Sequence, residues 1–128
     1  MQMGKKLRVL IVDNAPEILA VLSELFEEQG FEVVTAVNGQ DALAKFDFSM
    51  DGNKEFNLIS LDIHMPDIQG ADLAMELRNS GYEGPMVAFS GFPTFSMKKK
   101  TADNGICAYF NKKVLSPELI KAIRDRYC

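Results

Sequence analysis

Apolar and polar positions along the chain fall into a repeated two-part pattern. Leu7-Arg-Val-Leu-Ile-Val12 is short, apolar and branched, as a strand buried on both faces of a parallel sheet should be. Asn14-Ala-Pro-Glu17 then reads as a helix start, with Asn14 as cap, Pro16 in the first turn and Glu17 at the capping-box position. Ile18, Leu19, Leu22, Leu25 and Phe26 recur at helical spacing until Gly30 stops them. Residues 31–36 predict a second strand and 41–46 the core of a second helix. Residues 58–61 predict a third strand ending at Asp62, and Met65-Pro66-Asp67 a turn. Residues 71–78 predict a third helix closed near Gly81. A fourth strand over 85–89 ends at Ser90. A fourth helix over 94–104 has a thin apolar face. A fifth strand over 106–110 is followed by Asn111 and Lys112. Ser116-Pro117-Glu118 opens the last helix, with the serine as cap. Five strands alternating with five helices imply an α/β fold, a doubly wound parallel sheet with helices on both faces. Right-handed crossovers put every strand's C-terminal end on one edge, where ligand chemistry sits.

The length of 128 residues, with 47% apolar and 25% charged positions, suits one ordinary core, and a single domain over residues 1–128 is expected. Lys and Arg total 14 against 18 Asp and Glu, a net charge of −4. That balance disfavours direct nucleic-acid binding, for which a domain is usually basic. No apolar stretch approaches the ~18 residues of a membrane helix. The apolar run after the basic residues 1–6 meets Asp13 too soon for a signal peptide. A cytoplasmic protein without membrane contact is the expectation. Cys107 and Cys128 make neither a metal spacing nor a disulfide framework, and read as one buried thiol and one tail thiol. Gly39 and Gly52 read as turn residues.

The strand ends carry the chemistry. Asp13 and Asn14 follow the first strand, Asp62 the third, Ser90 the fourth and Lys112 the fifth. Taken singly, Asp13 and Asn14 read equally as helix caps and Asp62 as a strand terminus. Their joint recurrence with a hydroxyl and an ammonium at matching strand ends points to a site. If the first and third strands are neighbours, Asp13 and Asp62 come close, and such a pair is relieved by a proton or a cation. Oxygen ligands with few protein donors suit Mg²⁺. A carboxylate nucleophile can form an acyl phosphate. Mg²⁺ and Lys112 would offset the charge on the transferred group, and Ser90 would donate a hydrogen bond to it.

At these residues the chain resembles the receiver domain of two-component response regulators, of the chemotaxis type. The matching segments are Val-Leu-Ile-Val-Asp13-Asn14, Leu-Asp62-Ile-His-Met-Pro66 with Gly70 four residues on, Val-Ala-Phe-Ser90-Gly91 and Tyr109-Phe-Asn-Lys112. The resemblance implies a flavodoxin-like sheet of strand order 2-1-3-4-5. It implies that Asp62 is the phosphoacceptor, supplied from a phosphohistidine on a histidine kinase or phosphotransfer protein. It further implies that Asp13, Asp62 and the backbone carbonyl of His64 hold Mg²⁺, that Ser90 and Tyr109 are the switch residues, and that Lys112 binds the phosphate. Phosphorylation would draw Ser90 towards the phosphoryl group, let Tyr109 turn inward and repack the face of the fourth helix, fifth strand and last helix. A downstream protein partner would dock there. Such a module catalyses its own phosphorylation and dephosphorylation but is not an enzyme acting on a separate substrate.

Three features depart from the family. Asn14 stands where the second member of an acidic pair usually ligates the metal, so it offers an oxygen without charge. Lys113 follows Lys112 where the family usually has proline, so a trans bond is expected. Residues 47–57 make a longer connection than usual, read as a surface insertion or a longer helix. Asn14 and Lys113 also motivate an alternative, a phosphorylation-independent pseudo-receiver that serves as an interaction domain. An aspartyl phosphatase is disfavoured because His64 stands where those enzymes carry a second Asp. A flavin-binding domain is disfavoured because Asp13 and Asn14 replace a Ser/Thr-rich phosphate loop. Beside the site, His64 and Phe92 flank the expected path of hydrolytic water, and Met65 reads as packing. Lys98, Lys99 and Lys100 read as a solvated face or as a dock for an acidic partner. Lys121 and Arg124 would extend that dock.

Overall fold

The computed structural model describes residues 6–91, 99 and 102–128. Its five strands are β1 (Leu7–Val12), β2 (Phe31–Ala36), β3 (Leu58–Asp62), β4 (Met86–Ser90) and β5 (Ala108–Asn111). All pair in parallel, in the order β2-β1-β3-β4-β5, as the resemblance implies. Between them lie α1 (Pro16–Glu28), α2 (Gly39–Asp51) and α3 (Gly70–Asn79). A 3-10 turn (Lys112–Val114) and a C-terminal helix (Pro117–Tyr127) follow β5. The helix predicted over 94–104 falls largely outside the described residues.

Alternation along each strand divides the core in two. Leu10, Val12, Ile59 and Leu61 face Phe46 of α2 and Leu73 and Leu77 of α3. Val9, Ile11 and Leu58 face Leu22 and Phe26 of α1 and Ile120 and Ile123 of the C-terminal helix. Both faces of the central strands are thus dry, the reason their sequences are almost wholly apolar, Ser60 being a buried polar residue inside β3. The other buried polar side chains of β3 and β4, Asp62 and Ser90, stand at the strand ends.

Local differences from the sequence expectations have physical causes. The N-cap of α1 is Ala15, with no side-chain cap bond. Pro16 has no N–H to satisfy, and Asp13 Oδ1 accepts from Ala15 N at 2.9 Å, so the capping oxygen comes from Asp13 and Asn14 is exposed. Gly39 opens α2 and is buried. The fifth strand begins at Ala108, and Cys107, expected inside, is exposed. The caps Asn38 and Ser116 accept from Asp41 N at 2.7 Å and Leu119 N at 3.1 Å. Gly30 ends α1 at φ 90°, where a side chain would be strained.

Much of the 47–57 stretch is helix, since α2 continues to Asp51. Arg8 ties the remainder down. Its Nε meets Glu32 Oε2 at 2.6 Å, its Nη1 donates to Ser49 Oγ at 3.2 Å and to the Lys54 carbonyl, and its guanidinium lies 4.8 Å from the ring centre of buried Phe56. The backbones of Arg8 and Asn57 add reciprocal 2.8 Å bonds, one to the Asn57 side chain and one from its N–H. This clasp sits at the N-terminal edge of the sheet, ~16 Å along β1 from Asp13. Arg8→Ala should lower stability by about 1–3 kcal/mol and speed amide exchange over residues 52–57. Thermal melting and exchange mass spectrometry check this; unchanged exchange would show that the α2 extension alone holds the segment.

Candidate functional site

The register brings the strand ends together. Val12 pairs with Leu61 and Asp62 with Phe89, so Asp13 and Asp62 leave adjacent strands side by side. Both are buried, at 1% and 4% exposure. Asp13 N donates to Ala36 O at 3.1 Å, fixing the turn out of β1. Lys112 arrives from β5 across the intervening strand β4. Asn111 Oδ1 accepts from Lys113 N at 2.9 Å, which starts the 3-10 turn and directs the lysine inward. Among the described residues no peptide bond is cis, so Lys112–Lys113 is trans, as expected. Lys112 Nζ lies 2.8 Å from Asp13 Oδ2 and 3.1 Å from Asp62 Oδ1.

Two carboxylates therefore share one ammonium. Burial, then the neighbouring Asp13 charge, pushes the Asp62 carboxyl above its ordinary pKa, against the pull of Lys112 and a backbone hydrogen bond at His64. For Lys112, burial works against the charged form. The Asp13 hydrogen bond and both carboxylate charges outweigh it, so its pKa is raised and the ammonium persists. Among the described residues no group of three or more His, Cys, Asp or Glu side chains is placed to hold a metal. Any cation at this pair must draw further oxygens from backbone, amide or water, a donor set that Mg²⁺ accepts.

The other expected residues are placed as follows. Ser90 is fully buried at the end of β4, paired in register with Asn111. Tyr109 is half-buried with its ring against the α2–α3 side of the core. Its hydroxyl is buried and, among the described residues, has no hydrogen-bond partner. His64 is exposed and Met65 buried. Phe92, Lys98 and Lys100 lie outside the described residues, and Lys99 is exposed. Arg124 Nη1 donates to Gln29 O at 3.2 Å, at the end of α1. Lys121 pairs with Asp125 at 3.6 Å.

Two residues matter more than their sequence context suggests. A Cβ on Gly70 would stand 2.4 Å from the Asp62 carbonyl oxygen, so only glycine lets α3 begin so close to β3. Asp67, read as a turn residue, reaches the start of α2 with both carboxylate oxygens. An open crevice of ≈ 690 Å³ between Arg8, Glu32, Met50, Lys54 and Asn57 lies at the opposite edge of the sheet. That crevice shares no residue with the Asp13–Asp62–Lys112 cluster at the strand C-terminal edge.

The chain matches the model of the response regulator receiver domain over residues 9–124. It is 31% identical over 125 residues to a gliding motility regulatory protein of Myxococcus xanthus, covering 96% of this chain and 15% of that one. It is also 31% identical over 117 residues to the transcriptional regulatory protein CpxR of Klebsiella pneumoniae, covering 91% of this chain and 47% of that one. It thus spans less than half the length of either. Among solved structures, a CheY-like receiver domain protein from Methanospirillum hungatei superposes with a TM-score of 0.83 at 27% identity, over 95% of this chain and 94% of that one. CheY4 of Vibrio cholerae gives 0.83 at 25% identity, over 97% and 100%. Family match, strand order and the Asp13–Asp62–Lys112 cluster agree, and the chain belongs to the response regulator receiver domain family of two-component systems.

Proposed function

We propose that Asp62 is a phosphoacceptor and that residues 1–128 act as one receiver domain in a phosphorelay. The observation that carries this reading is the single ammonium of Lys112 bridging two buried carboxylates, 2.8 Å from Asp13 and 3.1 Å from Asp62. An Asp62 oxygen attacks the phosphorus of a phosphohistidine on a kinase or phosphotransfer protein. The P–N bond breaks, its electron pair goes to the imidazole, and the imidazole takes a proton from solvent. The product is an acyl phosphate on Asp62. Lys112 is within reach to move from Asp62 to a phosphoryl oxygen, a stronger pairing once that charge is present. Ser90, at the neighbouring strand end, donates to another oxygen.

The residues fit a divalent cation. Asp13 and Asp62 carry one more negative charge than Lys112 offsets, and the pair repels itself. Asp13, Asp62, the His64 carbonyl and the Asn14 amide oxygen would hold Mg²⁺. When bound, it supplies positive charge against the carboxylates and the incoming phosphoryl oxygens. Asn14 contributes no charge, so affinity is lower than with an acidic residue there. On the output side, movement of Ser90 would repack Tyr109 and the adjoining face of the fourth predicted helix, β5 and the C-terminal helix. A downstream protein partner reads that face, as a population shift between two states.

Acetyl phosphate with Mg²⁺ should add one phosphoryl group to the wild-type chain, read by intact mass, and none to Asp62→Asn. Lys112→Ala should keep Mg²⁺ binding and slow labelling by about 100-fold. A wild-type chain that takes no phosphate would leave the phosphorylation-independent interaction domain as the better reading.

Stability should follow the same charges. Asp62 has a raised pKa in the folded state, so its favourable contribution is present below the ordinary carboxylate range and is lost as pH rises through the folded value. At neutral pH without divalent cations, Asp62→Asn should therefore raise Tm by a few degrees. The gap should close below about pH 4 and shrink when Mg²⁺ stabilises the wild type. Melting curves across pH check this, and a lower Tm for Asp62→Asn at neutral pH would contradict it.

A further inference from the structure

The first turn of α2 carries three backbone N–H groups before the first intrahelical bond, which Ala42 N makes to Asn38 O at 3.0 Å. The cap Asn38 takes one, from Asp41 N at 2.7 Å. The other two, Gly39 N and Gln40 N, donate to Asp67 Oδ1 at 3.0 Å and Oδ2 at 2.9 Å. Asp67 lies 28 residues beyond Gly39, in the loop that leaves the phosphoacceptor strand. We propose that Asp67 is a positioning residue for the phosphoacceptor site, fastening the loop that carries the His64 carbonyl to the rigid start of α2. This rests on the reading of Asp62 and His64 given above.

The contact is built on both sides. A Cβ on Gly39 would stand 2.0 Å from Ile68 Cγ2, so any other residue would displace the Ile68 side chain from its seat against α2. Glycine at this position serves the docking of the loop, since Gly39 is helical and has no positive φ. At the loop's far end, Gly70 N donates to Ile63 O at 2.8 Å and Gly70 abuts the Asp62 carbonyl. Between these ties Met65 is buried and His64 is exposed. The loop is thus pinned at its two ends by β3 and α3, and from the side by Asp67 alone among the hydrogen bonds described. The carboxylate also suits the partial positive charge of a helix start. The two N–H bonds hold its pKa below the usual carboxylate range, so the clamp is charged at neutral pH.

Exposure separates position from stability. Asp67 is on the surface, so water can replace its bonds to Gly39 and Gln40, and removing it costs the fold little. What water cannot replace is the fixed distance between loop and helix. An outer partner that orients a metal ligand typically changes affinity by about 10–100-fold. Asp67 acts through the backbone of a short loop, so the low end of that range is expected. Linkage requires the converse: binding at the site must tighten the clamp.

The experiment compares the wild type, Asp67→Ala and Asp67→Asn. It measures Mg²⁺ affinity, acetyl phosphate labelling of Asp62, Tm, and amide exchange at Gly39 and Gln40 with and without Mg²⁺. Asp67→Ala should weaken Mg²⁺ about tenfold and slow labelling, with Tm nearly unchanged. Asp67→Asn, which keeps one acceptor oxygen, should fall between. Mg²⁺ should slow exchange at Gly39 and Gln40 in the wild type and not in Asp67→Ala. Wild-type affinity and labelling in Asp67→Ala, or a Mg²⁺ response at both amides that survives the substitution, would overturn the proposal. So would loss of the fold in both variants, which would make Asp67 a structural cap. A wild type that neither binds Mg²⁺ nor takes phosphate would overturn the phosphoacceptor reading, and this one with it.

Discussion

One ammonium between two buried carboxylates is the constraint on which the rest of the architecture turns. Asp13 and Asp62 leave adjacent strands of a sheet whose two faces are closed by helices. Neither carboxylate can be far from the other without breaking the register of β1 and β3. Lys112 offsets one of the two charges, and burial raises the Asp62 pKa against the remainder. Such an arrangement is costly in a resting protein and useful in one that admits a cation and an anion in turn. The charge imbalance is the feature on which the proposed phosphoacceptor role rests.

The supporting structure holds that imbalance in place from several directions. Asp13 completes the turn into α1, capping Ala15 with one oxygen while the other meets Lys112. Gly70 lets α3 start against the Asp62 carbonyl, and Asp67 fastens the intervening loop to α2. The 3-10 turn at Lys112 is set by Asn111 instead of the proline the family usually places after its lysine. The longer α2 and its Arg8 clasp lie at the other edge of the sheet, so the insertion is accommodated without touching the site.

Most of this was legible in residue order. Short branched apolar runs ending in Asp13, Asp62, Ser90 and before Lys112 identified the strands, because burial on both faces confines most polar residues to the ends. Parallel topology then placed those ends together. What was not legible depends on contacts between distant residues. Asn14 looked like the cap of α1, but Asp13 two positions from Ala15 reaches the N–H first. Gly39 and Asp67 each looked like turn residues, since nothing local shows that one receives the other's loop. Cys107 looked buried by its place in an apolar run, and lies one residue outside the strand that would have covered it.

The central claim is that Asp62 is held above its ordinary pKa by burial and Asp13, and that a divalent cation relieves this. The most direct measurement is a pH titration of the Asp62 side-chain carboxyl by carbon-13 NMR, with and without Mg²⁺ and in Asp13→Asn. The account predicts a midpoint above the ordinary carboxylate value in the metal-free wild type, falling on addition of Mg²⁺ and falling in Asp13→Asn. An ordinary midpoint, indifferent to both Mg²⁺ and the Asp13 charge, would contradict it.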